Sequence, residues 1–559
     1  MTASEGVRGR TNPIWIAAAF VAVLVPLALV GYLGAGSASL WLDEITYYRL
    51  QDDFALRAAE IGRSGSAIAP FFSNFFFCDV QRAFQAPIVA LGLIRPLENP
   101  ELLVRALPLV AFAGTALLIV LWRLRREGDL LTSLLGGLLF AGAPIFLFYA
   151  FEGRVYAFVS FLAVALLVLL ERASRSRHAG SLVLVAALSV VVARLHLWTL
   201  CLFASLLVWG IVEAIRHRRI TPPVRAVLAS SLPGLAAGCL EYLYMRVTQP
   251  SDPLFRLFEK QPLSRTLEQT VLSVFSGPGQ VQHAFMSPQS VLFVVLCIVV
   301  LAVLVAATLQ APRSGEAFGA PDAAAVSAGA IAFSVALAVG FGYFVHGRYQ
   351  VPLFAVLFYA VARGLTTRRE RLLALLLVTA EFVLLPQTAA AIHAKSNSGE
   401  IARLVLAKSD RPSASVIVQH GVISGYPAPH HVIGLDFYLN DLHPGEAPIP
   451  IYELPDLRST NGEHGTYRYF NGGEPLVMRI LAIPVDRFRE WARTEGRSDV
   501  WVVQPLWGMK PSDRQVAALL DTLVGDGGYA LVERFVAPGY PTSQVVHLRR
   551  RALPAVGAP

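Results

Sequence analysis

Charge is what this chain has least of. Only 15% of its 559 residues are Asp, Glu, Lys or Arg, whereas 55% are hydrophobic and the mean hydropathy is +0.54. A soluble domain carries about 25% charged residues. The shortage excludes a soluble globular enzyme and a disordered chain. Lysine is scarcest, with Lys260, Lys395, Lys408 and Lys510 among 47 basic residues. Cysteine is also sparse. Cys78, Cys201, Cys239 and Cys297 form no Cys-x-x-Cys, so no disulfide framework or zinc ribbon is available. Three of the four sit in apolar runs, as buried thiols do. The chain has no Walker A loop and no Gly-x-Gly-x-x-Gly. It has no Asp-x-Asp either, because Asp52 and Asp53 are adjacent.

What the chain does have is long apolar runs. The first covers about 13–33, and others centre on 106–122, 130–149, 155–170, 181–195, 197–213, 224–245, 290–309, 324–345, 349–362 and 371–387. About eleven spans follow, since each run is near the length that crosses a bilayer. The first run is long for a signal peptide and reads as an uncleaved helix. Splitting 181–213 into two spans rests on Arg194 and His196.

The net charge of +8 is a topology signal and does not point to nucleic acid. One set of connections holds Arg123, Arg125 and Arg126, then Arg172, Arg175 and Arg177, then Arg216, Arg218, Arg219 and Arg225, then Arg313, then Arg368, Arg369 and Arg371. The alternate short connections hold Arg154, Arg194 and Arg348, one each. By the positive-inside rule the N-terminus is cytoplasmic. Outer loops 35–104 and 247–288, and everything after about 389, then lie outside, in the periplasm of a bacterial inner membrane. The expected organisation is a transmembrane domain over 1–388 and a periplasmic α/β domain over 389–559. In that tail Ser415–Gln419 and Asp499–Gln504 alternate like strands, Ser512–Leu523 reads as a helix, and Tyr529–Phe535 with Gln544–Leu548 reads as a strand pair. In the first outer loop, aromatics and an amphipathic stretch around 84–97 suit a helix lying in the headgroup plane.

Charged residues at membrane level are costly, so those at outer helix ends are functional candidates. Four connections supply them: Asp43 and Glu44; Glu152, Arg154 and Tyr156; Arg194 and His196; His346, Arg348 and Tyr349. Paired carboxylates can act as a general base or hold a divalent metal ion. Arginines bind phosphate through paired N–H donors and stabilise a departing phosphate. Together they suit a lipid-linked phosphate donor in the bilayer. Each candidate also has a plain structural role open to it. Asp43 and Glu44 could cap a helix, Glu152 and Arg154 could tie two helices, Arg348 could snorkel to headgroups, and His196 could be an interfacial histidine. The tail histidines His420, His430, His431, His443 and His464 have no metal-site spacing and read as solvated.

Four stretches resemble a known family in the same order. They are Ser39-Leu40-Trp41-Leu42-Asp43-Glu44; Gln85-Ala86-Pro87 with Glu101-Leu102-Leu103-Val104-Arg105-Ala106-Leu107-Pro108; Tyr149-Ala150-Phe151-Glu152-Gly153-Arg154-Val155-Tyr156-Ala157; and Gly347-Arg348-Tyr349-Gln350-Val351-Pro352. The family is the membrane glycosyltransferases of the GT-C fold, of the protein mannosyltransferase and aminoarabinose transferase type (glycosyltransferase families 39 and 83). Gln85-Ala86-Pro87 departs from the His-Pro-Pro of many relatives, and Arg82 stands for a nearby basic residue.

The resemblance implies a polytopic α-helical enzyme with a C-terminal soluble α/β domain. It implies transfer of one sugar from a polyprenyl-phosphate donor to a glycan, lipid or protein acceptor at the outer face. Asp43, with Glu44 beside it, is then the catalytic base or a metal ligand. Arg154, Arg348, Arg82 and His196 hold the donor phosphate, supported by Glu152, Tyr156, Tyr349 and His346. Asp43, Glu44 and Glu152 are the carboxylates open to a divalent metal. The competing expectations are a transporter or flippase for lipid-linked saccharides, and a ligase moving a whole glycan.

Overall fold

The computed structural model describes residues 13–34, 38, 100–176, 178–248, 263–276, 287–312, 317–341, 347–393, 396–419, 421–423, 426–428, 434–454, 470–471, 474–475, 481–482, 488–494, 497–506, 513–526, 528–537 and 542–551. The chain clusters into two compact units, one including Leu102–Ile392 and the other including His393–Pro559.

The first unit is helical. In chain order its helices are α1 (Pro13–Tyr32), α2 (Pro100–Glu127), α3 (Leu130–Gly142), α4 (Pro144–Ala150), α5 (Tyr156–Arg175), α6 (Ala179–Leu195), α7 (Leu200–His217), α8 (Pro222–Thr248), α9 (Leu263–Ser276), α10 (Pro288–Gln310), α11 (Ala320–Phe341), α12 (Val351–Gly364) and α13 (Arg368–His393). Seven helices among the described residues are long and apolar enough to cross a membrane, or eight if the bent pair α3–α4 counts as one span. The count of about eleven is therefore not confirmed by the described residues. The apolar cores of α1 (Ile16–Tyr32) and α6 (Ala179–Leu195) are short. The 14-residue α12 reaches about 21 Å, well under a hydrocarbon core of about 30 Å. Run length in the sequence counts every buried apolar stretch, whether or not it spans.

Prolines shape the bundle. Pro144 offers no N–H and pushes the residue before it out of the helical region. Ala143 sits at φ −67°, ψ 123°, and α3 and α4 meet at a 65° bend. Phe140 stacks on Phe146 at 4.2 Å, and Phe146 meets Phe358 edge-on at 5.1 Å, filling the elbow. Glu381 of α13 is fully buried against Gly142 at the same bend. Between α6 and α7 the helix breaks at His196, which is extended at φ −156°, ψ 112° and followed by a 3-10 turn, Leu197–Thr199. A second 3-10 turn, Gly347–Gln350, leads into α12.

The basic ends are tied by arginine. Arg123, only 2% exposed, donates to the carbonyls of Ala362 and Leu365 at the end of α12, satisfying acceptors that a helix C-terminus leaves open. Glu171 of α5 is 0% exposed and paired with Arg126, Arg175 and Arg363. Asp129 caps α3 through Thr132 and pairs with Arg371 at 3.2 Å. The Thr132 hydroxyl holds its carboxyl below the usual range.

The second unit is α/β. After α14 (Ser398–Lys408) come β1 (Ala414–Gln419), the hairpin β2 (Gly421–Ile423) and β3 (Tyr426–Ala428), β4 (Ile451–Leu454), the short pair β5 (Phe470–Asn471) and β6 (Glu474–Pro475), and β7 (Leu481–Ala482). Then follow α15 (Phe488–Thr494), β8 (Asp499–Leu506), α16 (Asp513–Asp521), β9 (Tyr529–Ala537) and β10 (Thr542–Arg550). The six-stranded sheet runs β7-β4-β1-β8-β10-β9, parallel from β7 to β8 and antiparallel thereafter. Every residue of β1 is buried, as a central parallel strand requires. Ile417, Val500, Val502, Leu519, Tyr529 and Val546 pack one core. There the buried Tyr529 hydroxyl donates to the Arg497 carbonyl at 2.7 Å, and burial raises its pKa.

Candidate functional site

Three connections of the helical unit meet at one end of the bundle. The first is the Phe151–Val155 turn between α4 and α5. It carries Glu152, 2% exposed, whose carboxylate lies 3.5 Å from Arg154 Nε. Arg154 donates to the Tyr156 hydroxyl at 3.1 Å, and its guanidinium lies 6.0 Å from the Tyr156 ring centroid. Gly153 makes this turn possible, because a Cβ there would collide with the Val104 side chain of α2.

The second is the His196 break. Thr199 holds it, donating to the carbonyls of His196 at 2.7 Å and Val192 at 3.2 Å. Arg194, at the end of α6, pairs with Glu241 of α8 at 3.1 Å. The third is the Gly347–Gln350 turn. The buried Gln350 anchors it by donating to Ser334 at 2.7 Å. Gly347 lies against Ser273 of α9 with no room for a Cβ. Arg348 donates to the Tyr349 hydroxyl at 3.1 Å.

Aromatic rings join the three. Tyr149 meets Tyr156 at 5.0 Å, Tyr156 meets His196 at 5.4 Å, and His196 meets Tyr349 at 6.1 Å. Trp198 stacks nearly parallel to Tyr349 at 5.8 Å, with an interplanar angle of 11°. Arg154 and Arg348 flank this wall, and both charges reach His196 and Tyr156 electrostatically. Among the described residues, the His196 Nδ1 and the Tyr149 hydroxyl are buried without a hydrogen-bond partner. Such groups are costly to leave unmet, and they mark a place where a polar ligand would be welcome.

The structure thus brings together Glu152, Arg154, Tyr156, His196, Arg348 and Tyr349. Asp43, Glu44, Arg82 and His346 lie outside the described residues, as does the amphipathic stretch around 84–97. The sequence reading missed Tyr149, Trp198 and helix α9. Trp198 stands two residues from His196, which was a usable signal. On α9 the buried Thr266, Thr270 and Ser273 recur at helical spacing, a small-residue face turned to the protein.

Two guanidiniums and one carboxylate stand together among the described site residues. Guanidinium forks match phosphate geometry, and aromatic faces suit an apolar or sugar-like surface. For a divalent metal the described residues do not fit. Among the described residues no group of three or more His, Cys, Asp or Glu side chains is placed to hold one, and Glu152 is engaged with Arg154, while Asp43 and Glu44 lie outside them.

No known family profile matches the chain, and no curated protein does. Among solved structures the chain is similar to ArnT from Cupriavidus metallidurans bound to undecaprenyl phosphate. Identity is 13% across 98% of this chain and 99% of that chain, with a TM-score of 0.46. It is also similar to the apo state of ArnT from the same organism, at 14% identity over 96% of this chain and 97% of that chain, with a TM-score of 0.38. At that level of similarity the functional reading rests on the chain's own residues.

Proposed function

We propose that this chain is a membrane glycosyltransferase that moves a sugar from a polyprenyl-phosphate donor to an acceptor hydroxyl on the outer face of a bacterial inner membrane. The N-terminus is then cytoplasmic and the C-terminal domain periplasmic. One observation carries the reading: the Arg154 and Arg348 guanidiniums, distant in sequence, lie against one aromatic wall beside the buried carboxylate of Glu152. Paired guanidiniums match the oxygens of a phosphate.

The chemistry follows from those groups together with the Asp43-Glu44 pair of the first outer loop. The Asp43 carboxylate takes the proton of the acceptor hydroxyl. The acceptor oxygen attacks the anomeric carbon, the bond from that carbon to the phosphate oxygen breaks, and the electron pair leaves with the polyprenyl phosphate. Single displacement inverts the anomeric centre. Arg154 and Arg348 stabilise the charge gathering on the departing phosphate. A phosphate leaving group needs little protonation, so no separate general acid is called for. Glu152 orients Arg154, and His196 with Arg82 adds donor contacts.

The test is transfer of radiolabelled sugar from polyprenyl phosphate by the purified chain. Arg348→Ala is expected to lower turnover by about 100-fold, the usual cost of removing one charge-stabilising donor. If Asp43→Asn transfers sugar as fast as the parent at equal expression, Asp43 is not the base. Mass spectrometry of the bound donor separates this reading from a ligase, which would carry a polyprenyl diphosphate glycan.

A further inference from the structure

At the other end of α5 a second charged cluster is overfilled with cations. Arg126 of α2, Arg175 of α5 and Arg363 of α12 all pair with Glu171, the last two at 2.6 Å. Trp122 Nε1 also donates to this carboxylate at 3.1 Å, and the Tyr359 hydroxyl at 3.4 Å. Three guanidiniums offer about fifteen N–H donors between them, against about four acceptor positions on one carboxylate. Three positive charges less one negative leave a surplus of two. The surplus faces outward: Glu171 is 0% exposed, whereas the Arg126 and Arg175 side chains are 35% and 42% exposed.

We propose that this basic pocket, formed where α2, α5 and α12 come together, binds the phosphate of an anionic phospholipid from the leaflet at that end. Three features select a lipid phosphate. The cluster sits at the ends of membrane-length helices, Glu101–Arg126 and Tyr156–Arg175, where headgroups lie. Basic pockets between such helices take anionic headgroups. Trp122 places an indole N–H at that level, the depth tryptophan favours in bilayers. Guanidinium forks bind phosphate oxygens in pairs, and the buried Glu171 holds them at a fixed spacing before the lipid arrives.

The test is native mass spectrometry of the full chain purified in detergent and titrated with phosphatidylglycerol, phosphatidylethanolamine or inorganic phosphate. Phosphatidylglycerol is expected to be retained over phosphatidylethanolamine. Arg126→Gln and Arg175→Gln are each expected to lower that retention about five-fold, the worth of one basic residue at an anionic surface. Arg219→Gln, on an exposed loop residue, makes the same change of net charge and should leave retention as it was. Because both main variants alter partly exposed side chains, the bundle should still fold, and an unchanged melting temperature checks this. Equal retention of the two lipids, or indifference to both substitutions, overturns the proposal. So does displacement of phosphatidylglycerol by millimolar inorganic phosphate, which would identify a free-anion site. The readout is binding, so it stands or falls separately from sugar transfer.

Discussion

The two ends of α5, about 30 Å apart over 20 residues, carry charged clusters that are packed differently. At the Arg175 end, Glu171 is saturated, with five side chains on one carboxylate. At the Tyr156 end, the Glu152–Arg154 pair is long at 3.5 Å, and the neighbouring His196 Nδ1 and Tyr149 hydroxyl are unmet among the described residues. A saturated carboxylate is scaffolding, because every acceptor position is spent inside the protein. Orphaned polar atoms such as the His196 Nδ1 and the Tyr149 hydroxyl leave interactions for something that arrives later. Arginine occurs at both ends, so residue type alone does not tell them apart. Satisfaction does.

That contrast can be broken in order of expected effect. Glu171→Ala strips the counter-charge from three guanidiniums and should cost about 3–5 kcal/mol, as removing one partner of a buried pair does. Thermal unfolding in detergent would read this, and a melting temperature equal to the parent's would remove Glu171 from the scaffold. Arg154→Ala should cost about 100-fold in turnover, or about 2.7 kcal/mol of barrier, and should lower the melting temperature less than Glu171→Ala does, since Glu171 faces three guanidiniums. An unfolded Arg154→Ala protein would erase the distinction between the two ends.

Gly347→Ala should cost about 1–3 kcal/mol by overpacking against Ser273, and it should lower activity further by displacing Arg348. A paired Ser273→Gly should restore both if the crowding is the cause. Asp129→Ala, at the basic end, should cost about 1 kcal/mol as a lost N-cap. Its carboxyl pKa is lowered in the folded state, so its contribution is fully present above the ordinary aspartate range and fades as pH falls through the lowered value. The difference in melting temperature between parent and Asp129→Ala should therefore shrink in acid.

Much of the helical unit was legible because an apolar helix announces itself locally. The break at His196 followed from Arg194 and His196 interrupting an apolar run. The tail strands were readable by alternation: 415–419, 499–504, 529–535 and 544–548 fall within β1, β8, β9 and β10. The number of spanning helices was not legible, since α12 is as apolar as its neighbours but is short and buried on nearly every side. Helix α9 hid in a loop because its 14 residues are too short and too polar to register as an apolar run, although its apolar residues recur at helical spacing. The α3–α4 elbow hid inside one continuous apolar run, with Pro144 its local sign.

By itself the sequence determined that the chain is an oily multi-pass protein with a mixed α/β tail, and which few charges were expensive enough to need a reason. Those are properties of composition and short-range period, and they need no partner. Tertiary structure decided which charges meet. Glu171 and Glu152 are both acids at helix ends beside arginines, and nothing local separates them. The packing of α2 and α12 onto α5 saturates the first. The convergence of three turns brings Arg154 and Arg348 against one aromatic wall at the other end. Whether a buried polar group is satisfied depends on chain segments far away in sequence, and only the folded molecule brings them within hydrogen-bonding distance.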